Sequence, residues 1–394
     1  PKMAQYKNVD GITVFGELSD RAAQDIAANS DVFAQIRESL AGIEGAKGAL
    51  SADNHLGYRM PIGGVAAYPR HISPTGVGFD IGCGNNAVQI SLTADDIRDD
   101  LAGLVAEISR AVRFGLGSTG SGQDHPLFDD PAWKSPLASG LKGLARQQLG
   151  SVGGGNHFVD LLVDESGYIW IANHFGSRGF GHTIAKNVMK QLGIKDATFG
   201  PPALLEEGTP LFDDYLAAMQ LAGAYAYAGR EIVINQVMHI LGIFAPVKSV
   251  MNHHNYAWRE EIDGSKCWVI RKGATPLRPG QESFIGGSMG DISVIVRGLD
   301  STVAQMALYS APHGAGRIIS RRQAKQTITR DEMKARLKKE GVHVVGGDVD
   351  ESPMAYRPLQ GVLDAHEGGF EIVHVLKPVG VVMAGAGEID PYKD

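Results

Sequence analysis

Two side chains that could bind a metal stand three residues apart in a glycine-rich stretch. The segment "GVGFDIGCGNNAV", residues 76–88, contains Asp80 and Cys83, and its glycines permit the positive φ angles that would turn both side chains toward one point. A carboxylate and a thiolate at one point indicate a metal site. Since Cys267 is the only other cysteine, a disulfide framework is excluded and Cys83 remains available as a ligand.

Histidines occur in four further segments, "GGGNHFVD", "ANHFGSRGFGH", "MNHHNYAW" and "SAPHGAGR", at strand ends or in glycine loops. A single histidine is more often a polar residue with one hydrogen-bond partner than a metal ligand. Together, however, His157, His174 and His254 add nitrogen donors to Asp80 and Cys83, a set that suits one or two ions of Zn, Mn, Fe or Co. Spacing leaves the choice of metal open.

Glycine makes up 51 of the 394 residues, about twice its usual share. It is concentrated in separate loops such as "PIGGV", "SVGGGNHF", "FIGGSMG" and "HGAGR". Bare backbone N–H groups donate to phosphate oxygens, so several such loops meeting at one place would form a phosphate site.

The composition, 43% hydrophobic and 21% charged, is typical of a globular protein with a substantial core. We find no linker, repeat or low-complexity tract and therefore predict one domain over residues 1–394. The start, "PKMAQYKNVDGITVFGEL", lacks the apolar segment of a signal peptide, and no run is long and apolar enough to span a bilayer. These features predict a cytoplasmic protein with no membrane partner.

A net charge of −7 argues against a protein that coats nucleic acid non-specifically. A polyanion would have to meet a local basic patch, for which "HGAGRIISRRQAK" is the best candidate. The same basic residues fit equally well on the solvated face of a helix.

Three helices are predicted. Thr93 and Asp96 resemble a capping box at the start of a helix that extends to Val112. A longer helix follows "GTPLFDDYLAAM", with Pro210 near its first turn, and continues toward "INQVMHILG". A third begins at Thr329 and ends at Gly341.

Strands are predicted between these helices. "HFVDLLVD" and "YIWIAN" form a hairpin around "ESG", and "CWVIRKG", "ISVIVRG" and "FEIVHVLKPVGVVMAG" are rich in β-branched residues. Because strands and helices do not alternate regularly, we predict an α+β fold.

The order of motifs resembles that of the RtcB family of RNA ligases. Between about residues 51 and 383 the chain contains "ADNHLGYRMPIGGVAA", "GVGFDIGCG", "GGGNHF", "HFGSRGFGH", "NHHN", "RKGAT", "GGSMGDIS", "HGAGRIISR", "AYR" and "PVGVV" in the family's order. The resemblance implies an RtcB-like fold with central β-sheets, surrounding helices and glycine-rich active-site loops.

It also implies an activity. The family joins RNA ends that bear a 2′,3′-cyclic phosphate or a 3′-phosphate to 5′-hydroxyl ends, using GTP and manganese, through a histidine-bound GMP. This implies GTP and two Mn²⁺ ions as cofactors and RNA ends as partners, and an activating protein is a further candidate partner.

The resemblance assigns roles to particular residues. The guanylylated histidine of "HGAGR" falls on His313. The implied metal ligands are Asp80, Cys83, His157, His174 and His254, with Cys83 bridging two ions. The implied nucleotide contacts are Asn156, Asn255, Ser288, Ser293, Ala315, Gly316 and Tyr356. The implied RNA-phosphate contacts are Arg178, Arg317 and Arg321.

Four positions depart from the family pattern. Asp160 stands where a glutamate is usual, Gly229 precedes Arg230 where an asparagine is common, and Pro312 precedes His313. Met383 occupies the place of a lysine that contacts guanine in many members. This last change puts that guanine contact in question.

Two other functions fit part of the pattern. A metal-dependent cyclic phosphodiesterase or other phosphoesterase needs the ligands but not His313. A non-catalytic paralogue that binds RNA ends would keep the fold and the metal without turnover, and the intact "HGAGR" argues against it.

Overall fold

The computed structural model describes residues 5–16, 32–115, 122–195 and 200–386. The strands in these ranges are β1 (Tyr6–Val9), β2 (Ile12–Phe15), β3 (Lys47–His55), β4 (Ile62–Tyr68), β5 (His71–Ile72), β6 (Gly84–Thr93), β7 (Arg113–Phe114), β8 (Ser151–Gly153), β9 (Phe158–Val163), β10 (Tyr168–Phe175), β11 (Leu205–Glu206), β12 (Lys248–His253), β13 (Asn255–Ile262), β14 (Ser265–Lys272), β15 (Ala274–Pro276), β16 (Glu282–Ile285), β17 (Ser293–Gly298), β18 (Ser310–Pro312), β19 (His343–Val345) and β20 (Phe370–Met383).

The α-helices in the same ranges are α1 (Val32–Leu40), α2 (Pro74–Val77), α3 (Ala94–Ile97), α4 (Leu101–Ala111), α5 (Lys142–Gln148), α6 (Arg178–Gln191), α7 (Pro210–Ile240), α8 (Thr302–Met306), α9 (Arg321–Thr327), α10 (Arg330–Lys339) and α11 (Leu359–Ala365).

Two large sheets organise the molecule. One has six strands in the order β1-β2-β3-β4-β14-β13, and the other has seven in the order β12-β6-β10-β9-β20-β17-β16, with β19 as an eighth beside β20. Pairing is antiparallel except for β2 with β3 and β19 with β20. The irregular alternation of strands and helices confirms the predicted α+β class.

The long helix α7 connects the two largest hydrophobic clusters of the described residues. Its first half, including Tyr215, packs in a core with Ile270 of the six-stranded sheet. Its second half, including Val237, packs in a core with Ile171 of the eight-stranded sheet. A helix that contacts a core along its whole length is apolar on several faces. No helix in the described ranges combines the length and the apolar character needed to cross a membrane.

The predicted hairpin is confirmed by antiparallel pairing of β9 with β10. Asp164 holds its turn, because Oδ1 accepts hydrogen bonds from the backbone N–H of Ser166 at 2.9 Å and of Tyr168 at 3.0 Å. The other three predicted strands correspond to β14, β17 and β20.

The long and the third predicted helices are confirmed as α7 and α10, and Thr329 Oγ1 accepts from Glu332 N at the start of α10. The single helix predicted from Thr93 to Val112 is wrong in one respect. Its capping box forms, with Thr93 N donating to Asp96 Oδ2 at 2.7 Å, but a 3₁₀ turn at Arg98–Asp100 divides it into α3 and α4. The Asp100 carboxylate lies over Gly103 in the first turn of α4, a position where negative charge favours a new helix start.

Candidate active site

Asp80 and Cys83 lie in the loop that leads into β6. Gly78 and Gly82 adopt φ angles of 88° and 72°, which other residues rarely adopt, and Cys83 N donates to Asp80 O at 3.0 Å to close a turn. Both side chains are almost fully buried. The glycines therefore allow a tight turn that holds an acid and a thiol inside the protein.

Three histidines reach the same place from neighbouring strands. His174 lies in β10, His157 directly precedes β9, and His254 directly follows β12. Because β12, β6, β10 and β9 are adjacent, these residues meet at the start of β6. Cys83 Sγ is 3.3 Å from His174 Nε2 and 3.8 Å from His157 Nε2. His174 Nε2 is 3.2 Å from His254 Nε2, and His157 Nε2 is 3.1 Å from Asp80 Oδ2.

The five predicted ligands thus form one buried cluster with two overlapping groups. Cys83, His174 and His254 make one group, and Asp80, Cys83 and His157 make the other. Within each group the potential ligand atoms lie within 4.8 Å of one another. Cys83 belongs to both groups, which is the geometry a bridging thiolate requires.

The chemistry of the cluster fits metal binding. His157 Nδ1 is 2.8 Å from the carbonyl of Val152, which only accepts hydrogen bonds, so Nδ1 carries a proton and Nε2 faces the cluster. Asp80 Oδ1 and His254 Nδ1 are buried without a hydrogen-bond partner among the described residues. Neutral imidazoles, a thiol and a carboxylate that converge in this way suit a transition metal.

The protonation states of the cluster residues also suit metal binding. Burial, followed by the charges of neighbouring imidazoles, holds the pKa of His174 and of His254 well below the usual value. Burial would raise the pKa of Asp80, but the hydrogen bond and charge of His157, together with the charge of Arg178, outweigh this effect and lower it. His174 and His254 are therefore neutral and Asp80 is ionised, as metal ligation requires.

His313 stands beside this cluster and is oriented by Asp53. The distance from His313 Nδ1 to Asp53 Oδ2 is 2.7 Å, and the backbone N–H groups of His313 and Gly314 donate to the same oxygen. Burial would raise the pKa of Asp53, but the hydrogen bond and charge of His313 lower it, so the carboxylate fixes the proton on Nδ1. The His313 ring centroid is 4.8 Å from that of His254.

One pocket connects the cluster, His313 and the glycine loops. Six of the seven predicted nucleotide contacts line it, namely Asn156, Asn255, Ser288, Ala315, Gly316 and Tyr356. Ser293 is not among the lining residues; it is buried behind them, where Oγ accepts from Gly287 N at 3.1 Å. Asn255 also has a structural role, since Nδ2 donates to Asp80 O at 3.3 Å and Oδ1 accepts from Gly273 N at 2.8 Å.

The three predicted RNA-contacting arginines lie in different surroundings. Arg317 and Arg321 line the pocket, where Arg317 donates to the Tyr356 hydroxyl at 2.9 Å and Arg321 forms ion pairs with Glu351 and Asp350. Arg178 does not line it.

Arg178 instead points into the protein at the start of α6. It is 1% exposed, and its guanidinium donates to Gly115 O at 3.1 Å and to Ser151 Oγ at 3.4 Å. The structure therefore brings two of the three arginines to the pocket.

One end of the pocket is a two-strand patch of the eight-stranded sheet. Met383 of β20 is opposite Phe158 of β9, and Val381 is opposite Asp160, so these four pocket-lining side chains share one face. Burial raises the pKa of Asp160 well above its usual value, and its Oδ1 has no partner among the described residues. The patch is thus apolar apart from one carboxyl group.

Sequence reasoning missed several residues that the structure places in or beside the pocket, among them Asp53 and Lys272. Asp53 belongs to the quoted motif "ADNHLGYRMPIGGVAA", and three consecutive polar residues at the end of a buried strand, Asp53 to His55, were a usable signal. Lys272 belongs to the quoted motif "RKGAT" at the end of β14, is 4% exposed, and donates to Tyr58 O at 2.9 Å.

The chain is similar to known proteins over most of its length. A family model described as tRNA-splicing ligase RtcB matches residues 37–130 and 130–384. The RNA-splicing ligase RtcB of Escherichia coli strain K12 is 33% identical over 370 residues, which cover 84% of this chain and 88% of the relative. The tRNA-splicing ligases RtcB of Pyrobaculum aerophilum and Thermococcus kodakarensis are 31% and 30% identical, each covering 84% of this chain and 86% of the relative.

The matched segments include every strand that contributes to the cluster and the pocket. A match of this extent and identity establishes common ancestry, so the similarity first seen in short motifs holds across the chain. The chain belongs to the RtcB family.

Proposed function

We propose that this chain is a GTP- and manganese-dependent RNA ligase. It joins an RNA end that bears a 2′,3′-cyclic phosphate or a 3′-phosphate to a 5′-hydroxyl end, and residues 1–394 act as one ligase domain. The observation that supports this best is His313, whose Nδ1 is held by Asp53 while its ring stands next to His254 of the ligand cluster. The relatives named as RNA- and tRNA-splicing ligases support the same reaction.

In the first step His313 acts as the nucleophile. With Nδ1–H donating to Asp53, the lone pair of Nε2 attacks the α-phosphorus of GTP, a P–N bond forms, and pyrophosphate leaves. Asp53 stabilises the positive charge that develops on the imidazole, as the carboxylate does in other histidine–carboxylate pairs.

In the next steps GMP moves to the RNA. An oxygen of the RNA 3′-phosphate attacks the phosphorus of the His313-bound GMP, and the P–N bond breaks to return neutral His313. The 5′-hydroxyl then attacks the activated 3′-phosphate, loses its proton, and displaces GMP as the new phosphodiester forms. A 2′,3′-cyclic phosphate must first be opened by water to a 3′-phosphate.

The five-residue cluster would hold two manganese ions, with Cys83 shared between them. When bound, such ions neutralise charge on the phosphate oxygens of the reacting groups. The protein itself orients the donors, excludes water through burial, and keeps the imidazoles neutral.

RNA phosphates would bind where Arg317 and Arg321 line the pocket. Both arginines lie near Glu351: Arg317 Nη1 is 3.6 Å from its carboxylate, and Arg321 is in direct contact with it. An incoming phosphate would therefore compete with this carboxylate. Bidentate hydrogen bonds from guanidinium to phosphate favour the exchange. An activating protein could act at this step, and RNA ends remain the proposed partner.

A metal-dependent phosphoesterase could use the same cluster without His313, and a non-catalytic paralogue would bind RNA ends without chemistry. Labelled GTP separates these functions from a ligase. Incubation of the protein with Mn²⁺ and GTP labelled at the α-phosphate should leave GMP bound covalently to the wild type.

His313→Ala should remove this labelling while retaining metal, because His313 is not a member of the ligand cluster. The exposed His239→Ala serves as the matched control and should label normally. Labelling of His313→Ala at the wild-type level would contradict the assignment, and no labelling of the wild type would favour the phosphoesterase or the paralogue.

A further inference from the structure

One fully buried arginine contacts the direct neighbours of three candidate ligands. Arg230 lies in α7 and is 0% exposed. Its Nη1 donates to Gly82 O at 2.9 Å and to Phe175 O at 2.7 Å, and its Nη2 is 2.9 Å from His253 Nδ1. Gly82 precedes Cys83, Phe175 follows His174, and His253 precedes His254.

Two further contacts hold Arg230 and its helix against β10. Asn173, which precedes His174, donates from Nδ2 to the carbonyl of Arg230 at 2.9 Å. The neighbouring Gly229 lets the ring of Phe175 approach the helix, since a β-carbon at Gly229 would lie 3.3 Å from Phe175 Cε2. A larger residue at 229 would require the Phe175 ring to shift by a few tenths of an ångström.

The environment of Arg230 also keeps its guanidinium in one orientation. Its Cζ lies 4.9 Å from the ring centroid of Tyr227, which in turn stacks on His253 at 3.8 Å. Burial lowers the pKa of Arg230 to about 10, while the charges of Tyr227 and then Cys83 act in the opposite direction, so the group stays protonated at neutral pH. A planar, protonated fork is suited to holding several carbonyl groups at fixed positions.

We propose that Arg230 is the positioning residue of the metal centre. It fixes the backbone on which Cys83, His174 and His254 are carried, so that their ligand atoms converge before a metal arrives. It contacts neither nucleotide nor RNA in this role. The inference rests on the metal cluster of the proposed function but not on GTP or RNA chemistry.

The test is a titration of the metal-free protein with Co²⁺, which gives a strong near-ultraviolet band when it binds a cysteine thiolate. Arg230→Lys keeps the positive charge but cannot reach Gly82 O, Phe175 O and His253 Nδ1 together. Since supporting contacts of this kind are worth about 10- to 100-fold in metal affinity, the variant should bind Co²⁺ at least about tenfold more weakly.

Arg271→Lys is the matched control. Arg271 is also 0% exposed, and it donates to Ser310 Oγ at 2.8 Å and to Leu308 O at 3.2 Å, away from the cluster. It should lose stability, as any buried arginine would, and still bind Co²⁺ as the wild type does. Equal affinities for the Arg230 and Arg271 variants would overturn the proposal.

A second variant covers the case in which Arg230→Lys does not fold. His253→Phe preserves the aromatic stack on Tyr227 but removes Nδ1, which lies 2.9 Å from Arg230 Nη2 and 3.0 Å from Gly82 O, and it should weaken Co²⁺ binding about threefold or more within the range of such supporting contacts. Unchanged affinity in this variant would count against the proposal. Absence of a thiolate band in the wild type would instead contradict the metal cluster itself, so the two failures are distinguishable.

Discussion

At the scale of single residues, the pair formed by Asp53 and His313 decides which nitrogen of the imidazole reacts. The carboxylate accepts the Nδ1 proton at 2.7 Å and also binds the backbone N–H groups of His313 and Gly314. The ring therefore has one tautomer and one orientation. The proposed reactivity of His313 would therefore depend on a residue 260 positions earlier in the chain.

Asp53→Asn should slow the capture of labelled GMP by about 100-fold or more, because the amide does not stabilise the imidazolium and favours the wrong tautomer. The rate of labelling under saturating GTP and Mn²⁺ measures this effect. Metal content should be unchanged, since Asp53 lies outside the ligand cluster. A variant that labels within threefold of the wild-type rate would show that Asp53 only supports the fold.

Met383 is proposed to lie where the pocket would receive the base of a nucleotide. It lies in an apolar cluster with Met289, Val381 and the edge of Phe158, and a thioether offers no hydrogen-bond donor. The wild type should therefore need more GTP than relatives with lysine and should accept other triphosphates more readily. Among the four side chains of the two-strand patch, Asp160 alone can form hydrogen bonds.

Met383→Lys should raise the preference for GTP over ATP by about tenfold, the worth of one charge-assisted hydrogen bond. Side-by-side labelling with the two nucleotides gives the ratio. Met289→Lys is the control, because Met289 lines the same pocket with 6% exposure against 7% for Met383. Strict guanine selectivity in the wild type, with no gain in Met383→Lys, would mean that another group reads the base.

At the scale of elements, the close approach of β6 and β12 brings His254 to Cys83. Gly84 is the first residue of β6 and pairs with His253. A β-carbon on Gly84 would collide with the Asn252 carbonyl and lie 2.7 Å from His253 Cα. The absence of a side chain at Gly84 is thus a condition for the cluster to form.

Gly84→Ala should cost about 1–3 kcal/mol of unfolding free energy, as overpacking does, and should weaken metal binding. Urea unfolding and metal titration measure the two effects. Gly143→Ala in α5, where a β-carbon meets nothing within 4 Å, should be neutral or stabilising. If both variants behaved alike, the strands would tolerate separation and the cluster would not depend on this contact.

The sequence predicts elements well where a local signal exists. The capping box at Thr329 and the hairpin around "ESG" form as predicted, because both depend on residues a few positions apart. The 3₁₀ turn at Arg98–Asp100 was not predicted, since the hydrophobic pattern continues through it.

The residues of the candidate site also fall into those that local sequence signals predict and those that only long-range packing places. Metal-ligand chemistry marked Asp80, Cys83 and the histidines in the sequence, and the structure brings them together. The burial of Arg178, the place of Ser293 behind the pocket, and the contacts of Arg230 depend on packing between distant segments, which spacing does not reveal.

At the scale of the whole molecule, α7 connects the two sheets. The pocket takes Lys272 from the six-stranded sheet and His174 and Met383 from the eight-stranded sheet. Neither sheet alone would complete it. This arrangement supports a single domain, in which both sheets and α7 unfold together.

Unfolding should therefore occur in one transition. Two single-tryptophan variants test this: one retains only Trp170, in the eight-stranded sheet, and the other only Trp268, in the six-stranded sheet. For each variant, the urea midpoint measured by tryptophan fluorescence should coincide with the midpoint measured by circular dichroism. A separate midpoint for either tryptophan would indicate two independently folding units.

The proposed reaction is tested most directly by following one phosphate. An RNA with a labelled 3′-phosphate is mixed with a second RNA that carries a 5′-hydroxyl, together with GTP, Mn²⁺ and the wild-type protein. The account predicts a joined RNA in which the label becomes resistant to phosphatase, because the 3′-phosphate is now the bridging phosphodiester, and no joining by His313→Ala. A label that is released, or that stays sensitive to phosphatase on an unjoined RNA, would contradict the account.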